Sequence, residues 1–526
     1  MITSLHWVPK GAASELPKQI ELSEKEIEEL NIKMSKTVKQ VNEIKKQNFG
    51  NTSQEESNEM NTENNNNNNN NKKQNKKKKK EKEIPQELLD IDEEILKKFN
   101  LENYDEEDPK GNLFTYFQNF EDLDYLKNSQ QETETGKGNS NQFDELIEEE
   151  MEENKIKPSD MILLSAKSDQ TLSTLEEIVI EDESLNMYVH HDIILQNSPL
   201  CLAWCDLSLE RAKSGELLYD ENKTGNLVAV GTFDPIIEIW DLDLADTSKP
   251  VCTLGLGVNE KEFDPQLQNL SPYAHDGAVL TLAWNSEYRN LMASGSDDNT
   301  VKIWDLSTTE CLATIGNHTD AVGALAWKPD EGSLLLSGGH DSVCWLWDIR
   351  SMAEQNKEKQ RQKKIQLDGV KFKLSSPTEC LKWDITSPNR FFVSVENGDS
   401  FYYDIRNPKK PLFTVSCHRK ETTQVAFSEI PGLFVTGGSD KFVKVWEISE
   451  KKISQVIKRN LDVGSVFALS FSPDNPLLLA VAGKKGEIAT WDLTQDNKVF
   501  KWFEKKIKLY LESKIQENTN QNINKN

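Results

Sequence analysis

The stretch that decides the fold is "TVKIWDLS", Thr300–Ser307, a short strand-like run that ends in a tryptophan, an aspartate and a leucine. Five other stretches also place an acid directly after an aromatic residue. They are "IIEIWDLD" at Trp240, "CWLWDIR" at Trp347, "FYYDIRN" at Tyr403, "VKVWEIS" at Trp446 and "IATWDLT" at Trp491. Apolar and polar residues alternate in these units, and Gly, Asp and Asn mark the turns, which predicts antiparallel β-strands.

A second aromatic residue lies upstream of each of these stretches. The upstream residues are Trp204, Trp284, Trp327, Trp383, Phe427 and Phe471. In the last five units the two aromatics are 20, 20, 20, 19 and 20 residues apart, and in the first unit the polar insert "SLERAKSGELLYDENKTG" lengthens the spacing to 36. A repeat of about 40–45 residues that carries four strands is typical of a β-propeller blade.

The number of blades depends on the start of the chain. Six units run from residue 199 to 503, and three more strands precede them, in "MILLSAKS", "TLEEIVIEDE" and "NMYVHHDIIL". A blade without its innermost strand would leave backbone groups unpaired at the central channel. Because "SLHWVPKG" has the pattern of an inner strand, residues 2–8 are predicted to complete blade 1, and 9–159 to be an insertion within it. The alternative is an N-terminal tail with an incidental Trp7.

The predicted fold is therefore all-β, a seven-bladed propeller. Its domains are an N-terminal strand within 1–8, the insertion 9–159, a propeller body 160–503, and a C-terminal helix with a polar tail over 504–526. The units resemble the WD40 family, and the resemblance implies three buried hydrogen-bond sets of His, Ser or Thr, Asp and Trp. They are His275, Ser294, Asp298 and Trp304; His318, Ser337, Asp341 and Trp347; and His418, Thr436, Asp440 and Trp446. A metal or catalytic role for these histidines is the alternative, but their recurrence favours structure.

Longer strings narrow the resemblance. "HWVPKGAA", "IKPSDMILL", "YVHHDIIL", "LENYDEED" and "LVAVGTFDPIIEIWDLDLADTSKPVCTLG" closely resemble the periodic tryptophan protein 1 family. This resemblance implies a location in the nucleus and nucleolus and a non-enzymatic scaffold role in ribosome biogenesis, in large-subunit assembly and rRNA processing. Pre-ribosomal proteins and rRNA precursors are the implied partners. The alternative that it also implies is a histone-binding regulator of rRNA gene transcription.

The insertion contains three kinds of segment. Ser23 and Glu26 form a capping-box pattern ahead of helically spaced apolar residues, which predicts a helix over 23–47. An Asn/Lys low-complexity tract follows at 64–82. Its lysines predict an import signal that also contacts RNA phosphates, against the simpler interpretation of a solvated linker: Lys72, Lys73, Lys76, Lys77, Lys78, Lys79, Lys80 and Lys82. In the acidic segments 83–155, apolar residues interleave with carboxylates, which favours a basic partner, ribosomal protein or histone.

The composition of the chain restricts the classes of partner and the cellular compartment that are expected. Only 36% of the residues are hydrophobic, which predicts a largely disordered insertion, and the net charge of -26 favours either basic partners or simply solubility. No stretch has the length and apolar character of a membrane span, and the seven scattered cysteines favour a reducing compartment. No cofactor, small-molecule substrate or membrane partner is expected.

No motif of a known catalytic class is present, so the chain is predicted not to be an enzyme. His190 and His191 are adjacent on a strand, where neighbouring side chains point to opposite faces, so they are not expected to share a metal ion. Arg350 and Arg406 end "WDIR" and "YDIR", which resemble the motif by which some WD40 proteins dock onto a cullin-ligase adaptor. That resemblance makes a ligase substrate receptor a lesser alternative. The basic loop 349–367 is expected to be an exposed loop, and contact with RNA is the alternative.

Overall fold

The computed structural model describes residues 1–19, 155–169, 172–182, 186–211, 217–245, 247, 249–256, 270–352 and 364–525. Its sheets form a β-propeller of seven blades, which confirms the predicted all-β fold. The predicted helix over 23–47, the Asn/Lys tract 64–82 and the acidic segments 83–154 lie outside the described residues.

The strands are numbered in chain order. The first ten are β1 (Ile2–Val8), β2 (Lys18–Gln19), β3 (Met161–Ser168), β4 (Ser173–Ile180), β5 (Met187–Leu195), β6 (Pro199–Arg211), β7 (Leu217–Thr232), β8 (Ile237–Asp241), β9 (Leu244–Ala245) and β10 (Cys252–Leu254). Blades 3 and 4 follow, with β11 (Val279–Trp284), β12 (Leu291–Ser296), β13 (Val301–Asp305), β14 (Glu310–Ile315), β15 (Val322–Trp327), β16 (Leu334–Gly339), β17 (Val343–Asp348) and β18 (Gly369–Lys373).

Blades 5 to 7 complete the ring. Their strands are β19 (Thr378–Trp383), β20 (Arg390–Val395), β21 (Asp399–Asp404), β22 (Phe413–Ser416), β23 (Gln424–Phe427), β24 (Leu433–Gly437), β25 (Val443–Ile448), β26 (Ile453–Arg459), β27 (Val466–Phe471), β28 (Leu478–Gly483) and β29 (Ile488–Asp492). Blade 1 has the order β1-β3-β4-β5 and blade 2 the order β6-β7-β8-β10. Strands β2 and β9 form a separate parallel pair.

Strand β1 is the innermost strand of blade 1. It pairs antiparallel with β3, from Ile2 opposite Lys167 to Val8 opposite Ile162. More than 150 residues separate the paired positions, so this pairing is set by tertiary structure. The alternating burial of β1 places Leu5 and Trp7 in the contact with blade 7.

The core is divided among the contacts between neighbouring blades. Seven clusters of buried apolar side chains are present, one for each pair of adjacent blades. The cluster that closes the ring joins Trp7 and Leu163 of blade 1 to Leu478 and Ala480 of blade 7. Because β1 supplies part of this cluster, the first residues of the chain hold the last blade.

The C-terminal helix is longer than predicted. Helix α1 spans Asn497–Lys525, whereas the sequence pattern predicted a start at 504. The carboxylate of Asp496 accepts hydrogen bonds from the backbone N–H groups of Lys498 (3.0 Å) and Val499 (3.4 Å), which caps the first turn. Val499 and Phe503, which were predicted to belong to the propeller body, are fully buried on the helix against blades 6 and 7. No helix among the described residues is long and apolar enough to cross a membrane.

Candidate functional site

One end of the propeller carries the insertion, the long β6–β7 hairpin and the start of helix α1. We define the insertion face as the end at which the first strand of each blade passes to the second and the third to the fourth. Hydrogen bonds between neighbouring blades connect these turns: Lys10 N–H to Asp474 (3.1 Å), Arg289 to Asp206 (2.7 Å) and Ser428 to the Pro476 carbonyl (2.7 Å). The insertion, the long β6–β7 hairpin and helix α1 all start from this face.

The start of the insertion is fixed to blade 2 by a chain of polar contacts. The indole N–H of Trp204 donates to the side-chain oxygen of Asn226 (2.8 Å), whose amide donates to Asp243 (3.0 Å). The same Asp243 oxygen accepts the backbone N–H of Ser14 (2.8 Å). Sequence patterns did not predict this arrangement, because its members are distant in sequence and lie outside the recurring hydrogen-bond sets.

Both ends of the insertion meet at this place. Strand β2, at Lys18–Gln19, pairs with β9 of blade 2. On the returning side, the backbone N–H of Ile156 donates to the Glu15 carbonyl (2.9 Å), and Lys155 forms a salt bridge with Glu15 (2.8 Å). Ile156 is buried between blades 1 and 2. The insertion therefore leaves and re-enters the ring at one point on the insertion face.

The three predicted hydrogen-bond sets are each brought together. In the first, Trp304 donates to the Ser294 hydroxyl (2.8 Å), which lies 2.7 Å from His275 Nε2, and His275 Nδ1 lies 3.0 Å from Asp298. The two other sets have Ser337 and Thr436 in the middle, with Trp, His and Asp contacts of 2.8 to 3.1 Å. Their aspartates lie on the end opposite the insertion face.

The proton positions in the first set follow from its chemistry. An ionised Asp298 only accepts, so His275 Nδ1 carries the proton and Nε2 accepts from the Ser294 hydroxyl. Burial lowers the pKa of His275, which keeps the ring neutral at pH 7. Burial alone would raise the pKa of Asp298, but its hydrogen bonds to His275, Thr300 and the backbone of Asp276 hold the pKa well below the usual range. The set is a closed structural unit, and no ligand position remains on its histidine.

Several tryptophans fix neighbouring blades to each other. Trp327 donates to the Ala283 carbonyl (2.9 Å) and Trp383 to the Ala326 carbonyl (3.1 Å), in each case from one inner strand to the preceding one. Trp7 makes the same bond to the Ser470 carbonyl of blade 7 (3.1 Å). Trp7 therefore occupies the recurring inner-strand position. The spacing of these residues was apparent in the sequence, but their bonds were not.

The two arginines proposed for adaptor docking lie on the insertion face, at the ends of β17 and β21. Arg350 contacts Asp348 (2.6 Å) and Arg406 contacts Asp404 (2.5 Å), and the arginine side chains are 65% and 68% exposed. Arg350 lies in a 3-10 helix, Ile349–Met352, that opens the basic loop. Residues 353–363 of that loop and the eight lysines of the Asn/Lys tract lie outside the described residues.

The prediction that His190 and His191 point to opposite faces was wrong. Glu177 pairs with His191 and Ile178 with Val189, so a β-bulge adds one residue at His190. The bulge turns both rings toward each other, and their Nδ1 atoms are 3.0 Å apart. Among the described residues, no group of three or more His, Cys, Asp or Glu side chains is arranged to hold a metal ion.

Glu177 is a buried ionisable group at the junction of blades 1 and 2. Burial raises its pKa to about 8, and the nearby Asp243 also acts to raise it. Burial lowers the pKa of His191 to about 4. The two groups lie 3.7 Å apart, and both are neutral at pH 7, so they do not form an ion pair there. Neither has a hydrogen-bond partner for its facing atoms among the described residues.

Comparison with known proteins supplies the family. The model of the WD domain, G-beta repeat, matches residues 266–305, 309–348 and 409–447. A WD repeat-containing protein of Schizosaccharomyces pombe is 36% identical over 519 residues, which covers 96% of this chain and 92% of that protein. Periodic tryptophan protein 1 of Saccharomyces cerevisiae is 28% identical over 565 residues, with 96% and 90% covered.

A more distant similarity extends to a protein named for ribosome biogenesis. The ribosome biogenesis protein WDR12 homolog of Drosophila mojavensis is 22% identical over 231 residues, which covers 43% of this chain and 50% of that protein. The similarities to the Schizosaccharomyces pombe and Saccharomyces cerevisiae proteins each cover 96% of this chain.

Proposed function

The chain belongs to the periodic tryptophan protein 1 family of WD repeat proteins, and we propose that it is a non-enzymatic scaffold in ribosome biogenesis. The finer proposal is a role in nucleolar assembly of the large subunit and in rRNA processing. The similarity to the WDR12 homolog, which is named as a ribosome biogenesis protein, supports the general process. Pre-ribosomal proteins are the proposed partners, with rRNA precursors as a second class.

The observation that carries the proposal is the attachment of the insertion to the ring. Ser14 and Ile156 anchor its two ends at one point, so a rigid ring presents a segment of more than 130 residues from a single face. That segment contains the lysine tract and the acidic segments. Lysines neutralise RNA phosphates, and interleaved carboxylates and apolar residues suit a basic protein. Such a molecule joins partners of opposite charge without catalysing a reaction.

Depletion of the protein tests the assignment to ribosome assembly. Cells that lack it are expected to accumulate unprocessed rRNA precursors and to lose large subunits relative to small ones, as read by precursor hybridisation and gradient sedimentation. Normal precursor processing with reduced synthesis of the precursor itself would contradict the proposal and favour a role in rRNA gene transcription.

The proposed role of the lysine tract is tested separately, by the location of the protein in the cell. A chain with all eight lysines changed to glutamine is expected to lose its nucleolar concentration, because an import signal and RNA contacts both need positive charge. Unchanged nucleolar fluorescence of this variant would contradict the proposed role of the tract. The control keeps the net charge equal by changing eight exposed lysines outside the tract to glutamine: Lys157, Lys409, Lys410, Lys420, Lys451, Lys452, Lys498 and Lys501.

A further inference from the structure

Blade 7 has no outermost strand among the residues that the structure describes. The described residues place three strands in this blade, β27-β28-β29, and four in each of the other six. Strand β29 pairs with β28 on one side only, so the backbone N–H and C=O groups of its other side have no strand partner among the described residues. The chain then enters helix α1 at Asn497 instead of returning as a fourth strand. Within the described part of the chain, blade 7 therefore ends in an open sheet edge.

The neighbouring blade 1 shows exposed apolar side chains toward this gap. Ile178 and Ile180 of β4 pack into the cluster shared with blade 7. Their partners across the ladder, Val189 and Met187 of β5, lie on the same side of the sheet. These two side chains are 50% and 38% exposed, whereas the described outer strands of blades 2, 3, 5 and 6 carry no exposed large apolar side chain.

A third residue of β5 extends this row. Ile194 pairs with Thr174, which lies on the same side of β4 as Ile178 because their spacing is even. Ile194 is 52% exposed, whereas Ile193 and Leu195, which face the four-stranded blade 2, are 2% and 4% exposed. One strand thus has a covered apolar side and an uncovered one, and the uncovered side faces blade 7.

Exposed large apolar side chains on outermost strands are concentrated on β5. Among the described outermost strands of blades 1 to 6, four large apolar side chains are exposed, three of them on β5 and the fourth, Val370, on β18 of blade 4. Exposed apolar rows beside an open edge mark interaction sites, because both features favour addition of a strand.

The opposite wall of the gap is basic. Arg459 on β26 of blade 6 pairs with Val443, which packs toward blade 7. Its guanidinium lies 5.4 Å from the ring centre of Trp491 on β29. Lys485 lies in the turn before β29, where it forms a salt bridge with the exposed Asp462. A strand in the gap would therefore contact apolar side chains on one face and a cation on the other.

We infer that the outer edge of blade 7 binds an extended strand of a partner protein in which apolar and acidic residues alternate. Backbone hydrogen bonds to β29 supply the pairing, apolar side chains cover Met187, Val189 and Ile194, and an acidic side chain on the other face meets Arg459. The partner strand completes the blade as a fourth strand. This site is distinct from the insertion face, and the inference does not depend on the proposed function.

A synthetic peptide of alternating valine and glutamate provides the probe. The labelled peptide is titrated with the full chain and followed by fluorescence anisotropy, and saturable binding of one peptide per chain is expected. A peptide with the same side chains and methylated backbone nitrogens on the pairing side should bind at least about tenfold more weakly, because it cannot donate to β29. Equal binding of the two peptides, or no binding of either, would overturn the inference.

Substitutions in the two walls of the gap beside β29 test where the peptide binds. Val189→Glu and Arg459→Glu should each weaken binding about tenfold or more, and Val370→Glu, at the matched exposed valine of blade 4, should leave it unchanged. A peptide of alternating valine and lysine should bind the Arg459→Glu chain better than it binds the original chain. Circular dichroism of each variant shows that it is folded, so a loss of binding reports on the site.

Light scattering of the full chain tests whether a second copy of the chain, instead of a partner protein, occupies the edge of blade 7. A monomer at the concentrations of the titration is expected. A homodimer that Val189→Glu dissociates would mean that two copies pair their own edges, which would overturn the assignment to a partner protein. Neither result affects the test by rRNA precursor processing, so the two proposals fail independently.

Discussion

At the scale of single residues, the hydroxyl of Ser294 is shared by two buried groups, the Trp304 indole and the His275 ring. Ser294→Ala leaves both without this partner while removing only one atom. We expect a loss of about 2–3 kcal/mol in the free energy of unfolding, since an unpaired buried polar group costs about 1–3 kcal/mol. Urea unfolding followed by tryptophan fluorescence measures it. Ser307→Ala, at a partly exposed turn, is the control, and equal small effects of both variants would contradict the assigned role.

Glu177 gives the chain a stability that depends on pH. Its pKa is raised to about 8 by burial, so between its unfolded pKa and pH 8 the folded state holds a proton that the unfolded state has lost. Stability therefore falls as pH rises through this window. Burial lowers the pKa of His6 and His191, and these groups act in the opposite direction, but only below about pH 6.5.

Glu177→Gln isolates this effect. We expect the free energy of unfolding of the variant to gain about 1–2 kcal/mol over that of the original chain between pH 6.5 and pH 8, because glutamine cannot ionise. Thermal unfolding of both chains across this range measures the difference. Glu176→Gln, on the adjacent and less buried residue of β4, is the control. A difference that does not change with pH would show that Glu177 is ionised in the folded protein.

At the scale of elements, β1 carries the closure of the ring, and Trp7 is its main contact. The side chain is 3% exposed and donates to the Ser470 carbonyl of blade 7. Trp7→Ala is expected to cost about 3–5 kcal/mol, as large aromatic truncations in a core do. Trp7→Phe keeps most of the packing and removes the hydrogen bond, so about 0.5–1.5 kcal/mol is expected.

The matched control for Trp7 is Trp502, which is 49% exposed on helix α1 and donates to Glu447. Trp502→Ala should reduce the free energy of unfolding much less than Trp7→Ala, as read from urea midpoints of the full chain. If both substitutions had the same small effect, β1 would not hold blade 7, and the N-terminal residues would be a tail rather than a strand of the ring.

The elements also show what sequence patterns could and could not predict. The alternation along each strand and the recurring aromatics are local, so they predicted the blades, whereas the three hydrogen-bond sets were implied by the resemblance to the WD40 family. The β-bulge at His190 was missed because a strand's register depends on its partner, and a one-residue bulge reverses the faces that alternation assigns. The start of α1 was missed because Val499 and Phe503 are apolar in either a strand or a buried helix.

At the scale of the whole molecule, the described ring has three separate surface regions: the end with the aspartates of the His sets, the insertion face and the outer edge of blade 7. The aspartates of the His sets lie at one end of the ring, and the insertion leaves from the other. In the described structure, the edge strand β29 of blade 7 lies between the outer strands β5 and β26 of the neighbouring blades. The contact between the start of the insertion and blade 2 was not visible as a contiguous segment of sequence, since Ser14 reaches Asp243 only because β1 pairs with β3 in blade 1.

Purification of the tagged full chain from nuclear extract, with and without ribonuclease, tests whether this ring is a scaffold for ribosome assembly. The expected result is recovery of rRNA precursors together with large-subunit proteins, and loss of some proteins after ribonuclease identifies those held through RNA. Recovery of histones and ribosomal DNA without precursor RNA would contradict the account and assign the chain to chromatin.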